Sequence, residues 1–524
     1  MNNKQFSIKL CYFFSLLYII IIGALAVLSV FIHCDTSIYD YEQTKTITRH
    51  TPYIYICIAA FGIGVNVLLC MLLERIFSTT AKVEKISKTI FFMCGIVIFV
   101  AGICWIAFND CVPTSDQREI YAEAQKIAGV LDEPFNTEYF SYFPRNRGIT
   151  LLVAFAIKMF GNHLYSFQII NVMASLIAYY SVCKTVKLIY RNPVITSITS
   201  FLLMLFYPLV IYDSYYYGTL LSVAFASLGL YATVALCETA KIRYGLLLVL
   251  AFPFGILMHQ SAAIGLVASV IYLLLNGKGK SLIRNIILSV TAIIMIISFT
   301  KTIDAIYIHI TGANTDTFAV PAVCTIYMGL TSTTGNAGPG SQDASEIHLF
   351  YENGDEKAAS RDAMHRISVV IQEYLTGKRE LRFFFFFAEY QWLDPTFGAR
   401  KIIKLNDPNM GDPVNSDAFM AFYKSPFRTY IFKLSIGGML LIYICAFVAG
   451  IKTIGSLKMY SAAILLQLYV IGGFAFQMLW ESLSRYCLGY YVWLLPSAAV
   501  GLYSLYCFWN LHRKKPLGKI DTNN

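Results

Sequence analysis

Apolar runs long enough to cross a lipid bilayer recur along this chain, and nothing else in it limits the fold as strongly. A helix needs about 20 consecutive apolar residues to span the hydrocarbon layer. Runs of that kind occupy 8–32, 53–74, 89–109, 165–189, 193–212, 218–237, 283–308, 428–450, 457–480 and 486–510. The stretch 244–275 is apolar throughout but broken at His259-Gln260, and reads as two short spans with their turn at one surface. Composition agrees. Of 524 residues, 57% are hydrophobic and 14% charged, where a soluble domain carries about 25% charged residues. The apolar surface must therefore face lipid, and the expected fold is an all-α polytopic membrane protein of about twelve transmembrane helices. The formal charge of +10 is not a nucleic-acid footprint, because Lys and Arg recur at the ends of apolar runs instead of forming a compact patch on a soluble fold. Among the 13 cysteines, Cys11, Cys57, Cys70, Cys94, Cys104 and Cys445 sit inside apolar runs as small hydrophobes, and no Cys-x-x-Cys pair points to zinc or redox chemistry. The first run, flanked by Lys4 and Lys9, is longer than a signal-peptide core and reads as an uncleaved anchor.

Charge sets the orientation, since Lys and Arg concentrate in cytoplasmic loops. The short segment 149–160, interrupted by Lys158, decides the count. If it does not cross, both termini are inside and the inner loops hold Arg75/Lys82/Lys85/Lys88, Lys184/Lys187/Arg191, Lys241/Arg243, Lys278/Lys280/Arg284, Lys452/Lys458 and Arg513/Lys514/Lys515/Lys519. The short outer loops then hold only Lys45, Arg49 and Arg485. If it crosses, every later loop inverts and basic clusters face outward. The segment is therefore expected to lie flat in the outer interface as an amphipathic helix. The chain divides into a three-helix membrane segment (1–109), a first outer loop with juxtamembrane helices (110–164), further membrane helices (165–308), a large mixed outer region (309–427), and a C-terminal three-helix segment with a basic tail (428–524). The region 309–427 is too long to be a connector. It holds a Gly-rich stretch (Thr334–Gly340), a helix over Ser360–Leu375 and an aromatic block at Phe383–Phe387, followed by Glu389, Trp392 and Asp394. No internal repeat of the inverted-repeat transporter kind is visible.

The candidate chemistry lies on the outer face. Asp116 follows Pro113-Thr114-Ser115 and opens a helical run, so it either caps that helix or acts as a general base just above the membrane. Asp110 is a second carboxylate close by, or simply a solvated loop residue. Arg145, Arg147 and Arg485 either anchor the chain by snorkelling to headgroups or meet an anionic phosphate, for which the guanidinium fork is suited. Arg485, in a very short loop near Glu481, is the preferred phosphate ligand. His259 and Gln260 are polar at membrane depth, as a hydrogen-bonded structural pair or as part of a site. Trp392 and Asp394 fit sugar stacking and hydroxyl binding, or an interfacial helix anchored by aromatics. Lys301 snorkels, Asp213 caps the following helix, and Tyr215-Tyr216-Tyr217 form an interfacial aromatic belt.

Three blocks carry a resemblance. The string Asp116-Gln117-Arg118-Glu119-Ile120-Tyr121-Ala122-Glu123-Ala124 is similar to the Asp-Glu-x-x-Tyr-Ala start of the first outer loop in GT-C glycosyltransferases, notably the protein O-mannosyltransferases and the aminoarabinose lipid A transferases. Tyr142-Phe143-Pro144-Arg145-Asn146-Arg147-Gly148, with Lys158-Met159-Phe160-Gly161, resembles their Tyr-Pro-Pro block and the juxtamembrane helix ending in Phe-Gly. Glu481-Ser482-Leu483-Ser484-Arg485-Tyr486, then Pro496, resembles the last outer turn and final helix of bacterial members, of the glycosyltransferase family 39 type. The resemblance implies a GT-C-like fold and an inverting hexosyl- or pentosyl-transferase. Its sugar would arrive on a polyprenyl phosphate, Asp116 would activate the acceptor, and a cell-surface glycan, lipid or protein would receive the sugar. Gln117 replaces the second acidic residue, so neither a carboxylate pair nor a metal is indicated there, and no cofactor is implied. Competing readings are a lipid-linked glycan flippase or transporter and a polysaccharide polymerase or ligase. The size of 309–427 and the scarcity of midplane charges favour the transferase over the flippase.

Overall fold

The computed structural model describes residues 3–39, 42–77, 83–109, 113, 115–313, 319–331, 355–399, 421, 425–455, 462–480 and 483–513. Lipid offers backbone groups no hydrogen-bond partner, so spanning segments must satisfy their own, and helix dominates. Membrane-type helices are α1 (Asn3–Phe31), α2 (Pro52–Phe77) and α3 (Val83–Phe108), then, after the first outer loop, α7 (Leu164–Tyr190) and α8 (Pro193–Leu205) with its short extension α9 (Pro208–Tyr212). They continue as α10 (Thr219–Thr239), α11 (Ile242–Met258), α12 (Ala262–Asn276) and α13 (Lys280–Thr311). After the second outer region come α17 (Pro426–Gly455), α18 (Ala463–Gln477), and α19 (Leu488–Val492) leading into α20 (Leu494–Arg513). Among the described residues, seven helices are long and apolar enough to cross a membrane, or eight if the last pair, bent by 49°, is one span. The shorter apolar helices α8, α11, α12 and α18 complete the bundle. The expectation of an all-α polytopic membrane protein is met.

Burial sorts the helices. The apolar stretch of α10 is 78% buried, against 17% for α2 and for α3. A helix apolar all round and enclosed by neighbours is the core of the bundle, whereas Phe61 and Phe92 on α2 and α3 present large side chains to the lipid position. Gly501 on α20 has no room for a Cβ against the Cys445 carbonyl, and this contact brings α17 and α20 close.

One end of the bundle carries α4 (Asp116–Ala128), α5 (Thr137–Tyr142), α6 (Arg147–Phe160), α14 (Ala322–Thr331), α15 (Glu356–Leu375) and α16 (Arg382–Trp392). The helix expected from Ser360 begins one turn earlier, where the Asp355 side chain accepts from Lys357 N and Ala358 N. The Gly-rich stretch Thr334–Gly340 lies outside the described residues. An unexpected hairpin joins α1 to α2: β1 (Ile32–Tyr39) pairs antiparallel with β2 (Glu42–Arg49), in register from Ile32↔Arg49 to Tyr39↔Glu42. The β-branched run Thr44, Thr46, Ile47, Thr48 favours strand, and Cys34 N donates to Leu393 O at 2.9 Å, tying the hairpin to the second outer region.

Contacts between loops fix the parity of the crossings. Tyr216 N donates to Gln117 Oε1 at 2.9 Å, so an even number of crossings separates these residues. If α7 and α8–α9 both cross, α6 does not. At 14 residues it is also only about 21 Å long, short of the ~30 Å hydrocarbon layer. At the opposite end of the bundle, Lys187 meets Glu84 at 3.5 Å, Arg191 meets Glu238 at 2.8 Å, and Tyr506 donates to Glu74 at 2.7 Å.

Arg147 differs from its expected role at a phosphate. It is buried at the start of α6, where Nη1 pairs with Asp304 Oδ1 at 3.0 Å and Nη2 donates to Phe140 O at 3.0 Å, with the guanidinium over the Tyr307 ring. It fastens the flat helix to α13. Asp304→Ala leaves this cation buried without its partner and should destabilise the protein by ~3 kcal/mol, whereas Arg147→Met with Asp304→Leu should cost less. Thermal unfolding in detergent reads both, and equal losses would count against the structural role.

Candidate active site

The segment between α3 and α6 is built around carboxylates. Ser115, at φ 55°, occupies the N-cap of α4 without a side-chain cap, and Asp116 is the first helical residue, so Asp116 does not cap. Glu119 Oε2 accepts from Asn136 Nδ2 at 2.7 Å. Glu123, 1% exposed, accepts from Asn136 N at 2.9 Å and from the Tyr307 hydroxyl at 2.7 Å. These two acids pin α4 to α5 and α13. Asp116 instead meets the hydroxyl of Tyr139, and its charge also acts on Tyr215. Burial, reinforced by the Asp116 charge, pushes the Tyr139 phenol far above its usual value, so it stays protonated and can donate to that carboxylate. Asn146 Nδ2 donates to the Tyr139 oxygen at 2.9 Å and fixes its position.

The segment after α9 departs from expectation. Asp213 does not cap α10. Gly218 holds the N-cap, and the buried Asp213 accepts from Ser175 Oγ at 2.7 Å. Tyr215, Tyr216 and Tyr217 are no interfacial belt, being only 4%, 1% and 5% exposed. Gly218 has no room for a Cβ against the Met258 carbonyl, and this close approach sets Tyr217 against the turn between α11 and α12.

Arg485 reaches the same place from the short 3₁₀ turn Ser484–Cys487. Its Nη1 donates to Tyr215 Oη at 2.9 Å, and its guanidinium lies 5.6 Å from the Tyr217 ring centre. Asp394 holds this turn. It is wholly buried, with Oδ1 accepting from Thr396 N at 2.9 Å and Thr396 Oγ1 at 2.7 Å, and Oδ2 from Gly398 N at 2.9 Å and Ser484 Oγ at 2.8 Å. Asp394 thus positions the neighbour of Arg485 and leaves no exposed oxygen for a sugar hydroxyl. Trp392 is also wholly buried, packed on Phe474 and Tyr490, with no exposed ring face for stacking.

A cavity partly open to solvent lies beside these groups. Arg145 and Asn146 line it from the first loop, Tyr217 and Tyr486 from the tyrosine and arginine turns, His259 to Ser261 from the α11–α12 turn, and Phe476, Gln477 and Trp480 from the end of α18. The His259 ring sits 5.7 Å from Tyr217 and 5.4 Å from Tyr486, centre to centre. Its Nδ1 lies 3.3 Å from the Ser261 backbone N–H, which can only donate, so Nδ1 is the acceptor and Nε2 carries the proton. Burial first, then the charges of Arg485 and Arg145, push the imidazole down to about 3. His259 is therefore a neutral donor beside two cations. Of the expected site residues, Arg145, His259 and Arg485 come together and Asp116 stands beside them, while Arg147, Trp392 and Asp394 support the structure. Asp110 and Glu481 lie outside the described residues. Lys301 is exposed on α13. Among the described residues, no group of three or more His, Cys, Asp or Glu is placed to hold a metal ion.

Residues 148–303 match the family model described as dolichyl-phosphate-mannose-protein mannosyltransferase. No curated protein matches the chain. The matched stretch runs from α6 into α13 and includes His259. Over that stretch the chain is similar to this family of membrane glycosyltransferases. The family resemblance is borne out over that stretch, which takes in residues 158–161; the blocks at 116–124 and 481–486 lie outside it.

A histidine held neutral in the fold and near 6.5 when unfolded takes up its proton only on unfolding. The unfolded state thus binds more protons between about pH 6.5 and the folded value near 3, and stability falls as pH drops through that window. The wild type should lose more thermal stability between pH 7.5 and pH 5 than His259→Gln. Equal losses in differential scanning fluorimetry would place a charged imidazole in the fold.

Proposed function

We propose that this protein transfers a sugar from a polyprenyl-phosphate carrier to a cell-envelope acceptor, a glycan, lipid or protein, on the outer face of the cell membrane, with Asp116 as general base. One observation carries the reading: Tyr215 accepts a hydrogen bond from Arg485 at 2.9 Å and feels the charge of Asp116, so a cation and a carboxylate act on one phenol at one end of the bundle. Glycosyl transfer by direct displacement needs both. The carboxylate takes the proton of the incoming hydroxyl as its oxygen attacks the anomeric carbon. The bond from that carbon to the phosphate oxygen breaks, and the lipid phosphate leaves with the electron pair. Arg485 and Arg145 match the charge that develops on it, and the His259 Nε2–H adds a neutral donor. A single displacement inverts the anomeric centre. Basic residues at the opposite end of the bundle support cytoplasmic termini and an extracytoplasmic site.

Asp116→Asn removes the proton acceptor with little change in shape. Transfer of radiolabelled sugar in membranes should fall about 10²- to 10⁴-fold at an unchanged protein level. Retained transfer would remove Asp116 from the mechanism, and lipid translocation without any transfer would mark a flippase instead.

A further inference from the structure

The chain leaves helical geometry between α9 and α10, and the buried amides of that turn must find acceptors outside a helix. Those of Asp213, Ser214, Tyr215 and Tyr217 donate to the carbonyls of Val210, Ile211, Tyr212 and Tyr215, all within the same segment. The Tyr216 amide turns outward. It donates to Gln117 Oε1 at 2.9 Å, 99 residues earlier in the chain. Tyr216 itself is enclosed, 1% exposed, with its ring edge-on to Tyr121 at 5.1 Å and 5.4 Å from Phe167, centre to centre. The Tyr215 carbonyl accepts from Asn171 Nδ2 at 2.9 Å. The turn is thus fixed to the bundle, and Gln117 ties the first turn of α4 to it.

Gln117 follows Asp116 directly in that first turn. The N-cap Ser115 makes no side-chain bond, so the start of α4 is not held by its own cap. Tyr215, which precedes the Tyr216 amide, accepts from Arg485 and feels the charge of Asp116. One hydrogen bond therefore joins Asp116-Gln117 to Tyr215-Tyr216, the segments that carry the carboxylate and the phenol next to the cation. The residue type fits this duty. A neutral amide accepts from the N–H without adding a second negative charge next to Asp116, in a site that on the transferase reading receives an anionic phosphate.

We infer that Gln117 is a positioning residue: its bond to the Tyr216 amide sets where Asp116 stands relative to Tyr215 and Arg485. The inference rests on the transferase reading and adds a residue that acts through the placement of its base.

The test compares Gln117→Met, which keeps the size and removes the acceptor, with Gln117→Glu, which keeps an acceptor of equal reach. Amide hydrogen exchange over residues 213–218, read by mass spectrometry on the full chain in lipid nanodiscs, reports the bond itself. Gln117→Met should exchange faster there, and Gln117→Glu as the wild type does. Transfer is measured in native membranes, which supply the acceptor, from undecaprenyl phosphate carrying radiolabelled mannose, glucose, galactose or N-acetylglucosamine, and is followed on the donor that the wild type uses best. Gln117→Met should lower kcat about tenfold and leave the KM for that donor unchanged, and Gln117→Glu should restore kcat. Unchanged exchange in Gln117→Met, a raised KM with kcat kept, or no rescue by Gln117→Glu would overturn the inference. Asp116→Asn separates this failure from that of the reaction. If it retains transfer, the base itself is removed and the placement falls with it. If it abolishes transfer while Gln117→Met keeps the wild-type kcat, the placement alone is sunk.

Discussion

Hydrocarbon supplies no hydrogen-bond partner to a peptide group, and this constraint arranges the whole molecule. Regular helix fills the spanning segments because each residue there closes its own backbone bonds. Irregular backbone collects at the ends. Three breaks lie at one end: the turn between α9 and α10, the His259–Ser261 turn, and the 3₁₀ turn at Ser484–Cys487. Each is stitched by side chains. Asn171 Nδ2 donates to the carbonyls of Asp213 and Tyr215, Ser222 Oγ donates to His259 O, and Asp394 accepts from Ser484. The places where the chain leaves helical geometry are the places that build the cavity.

Electrostatics then assigns the parts. Arg145 lines the cavity and Arg485 comes near it from a segment far away in sequence, and His259 is kept neutral by burial and by the charge of both. A positive pocket with a neutral donor suits an anionic phosphate better than a third cation would, because it adds a hydrogen bond without further like-charge repulsion. Glu119 and Glu123 are occupied in holding Asn136, so the loop is rigid where it carries Asp116. Rigid placement of a base beside an anion site is the arrangement that displacement chemistry exploits.

The positions of the spans were legible, since a run of about 20 apolar residues is a strong local signal. Charge bias points to a flat helix at 149–160, and the contact between Gln117 and Tyr216 is compatible with it. Site residues were harder to read, because sequence shows residue type but not burial. Arg145 and Arg147 stand two positions apart, and only the fold separates the one lining a cavity from the one buried against Asp304. Trp392 and Asp394 looked like sugar ligands because of their chemistry, yet both are enclosed. Aromatic clusters at span ends usually form an interfacial belt, so residue type alone points to one at 215–217, whereas the fold buries all three tyrosines. The hairpin at 32–49 left a trace in its β-branched residues, too short to outweigh the flanking helices.

The central claim is that one cavity holds the lipid phosphate between Arg145 and Arg485, next to Asp116. A cryo-electron microscopy structure of the protein in nanodiscs with undecaprenyl phosphate measures this directly. The account predicts phosphate density in contact with both guanidinium groups, on the side of the bundle that carries Asp116. Phosphate density at the opposite end of the bundle, or at a site that touches neither arginine, would contradict it.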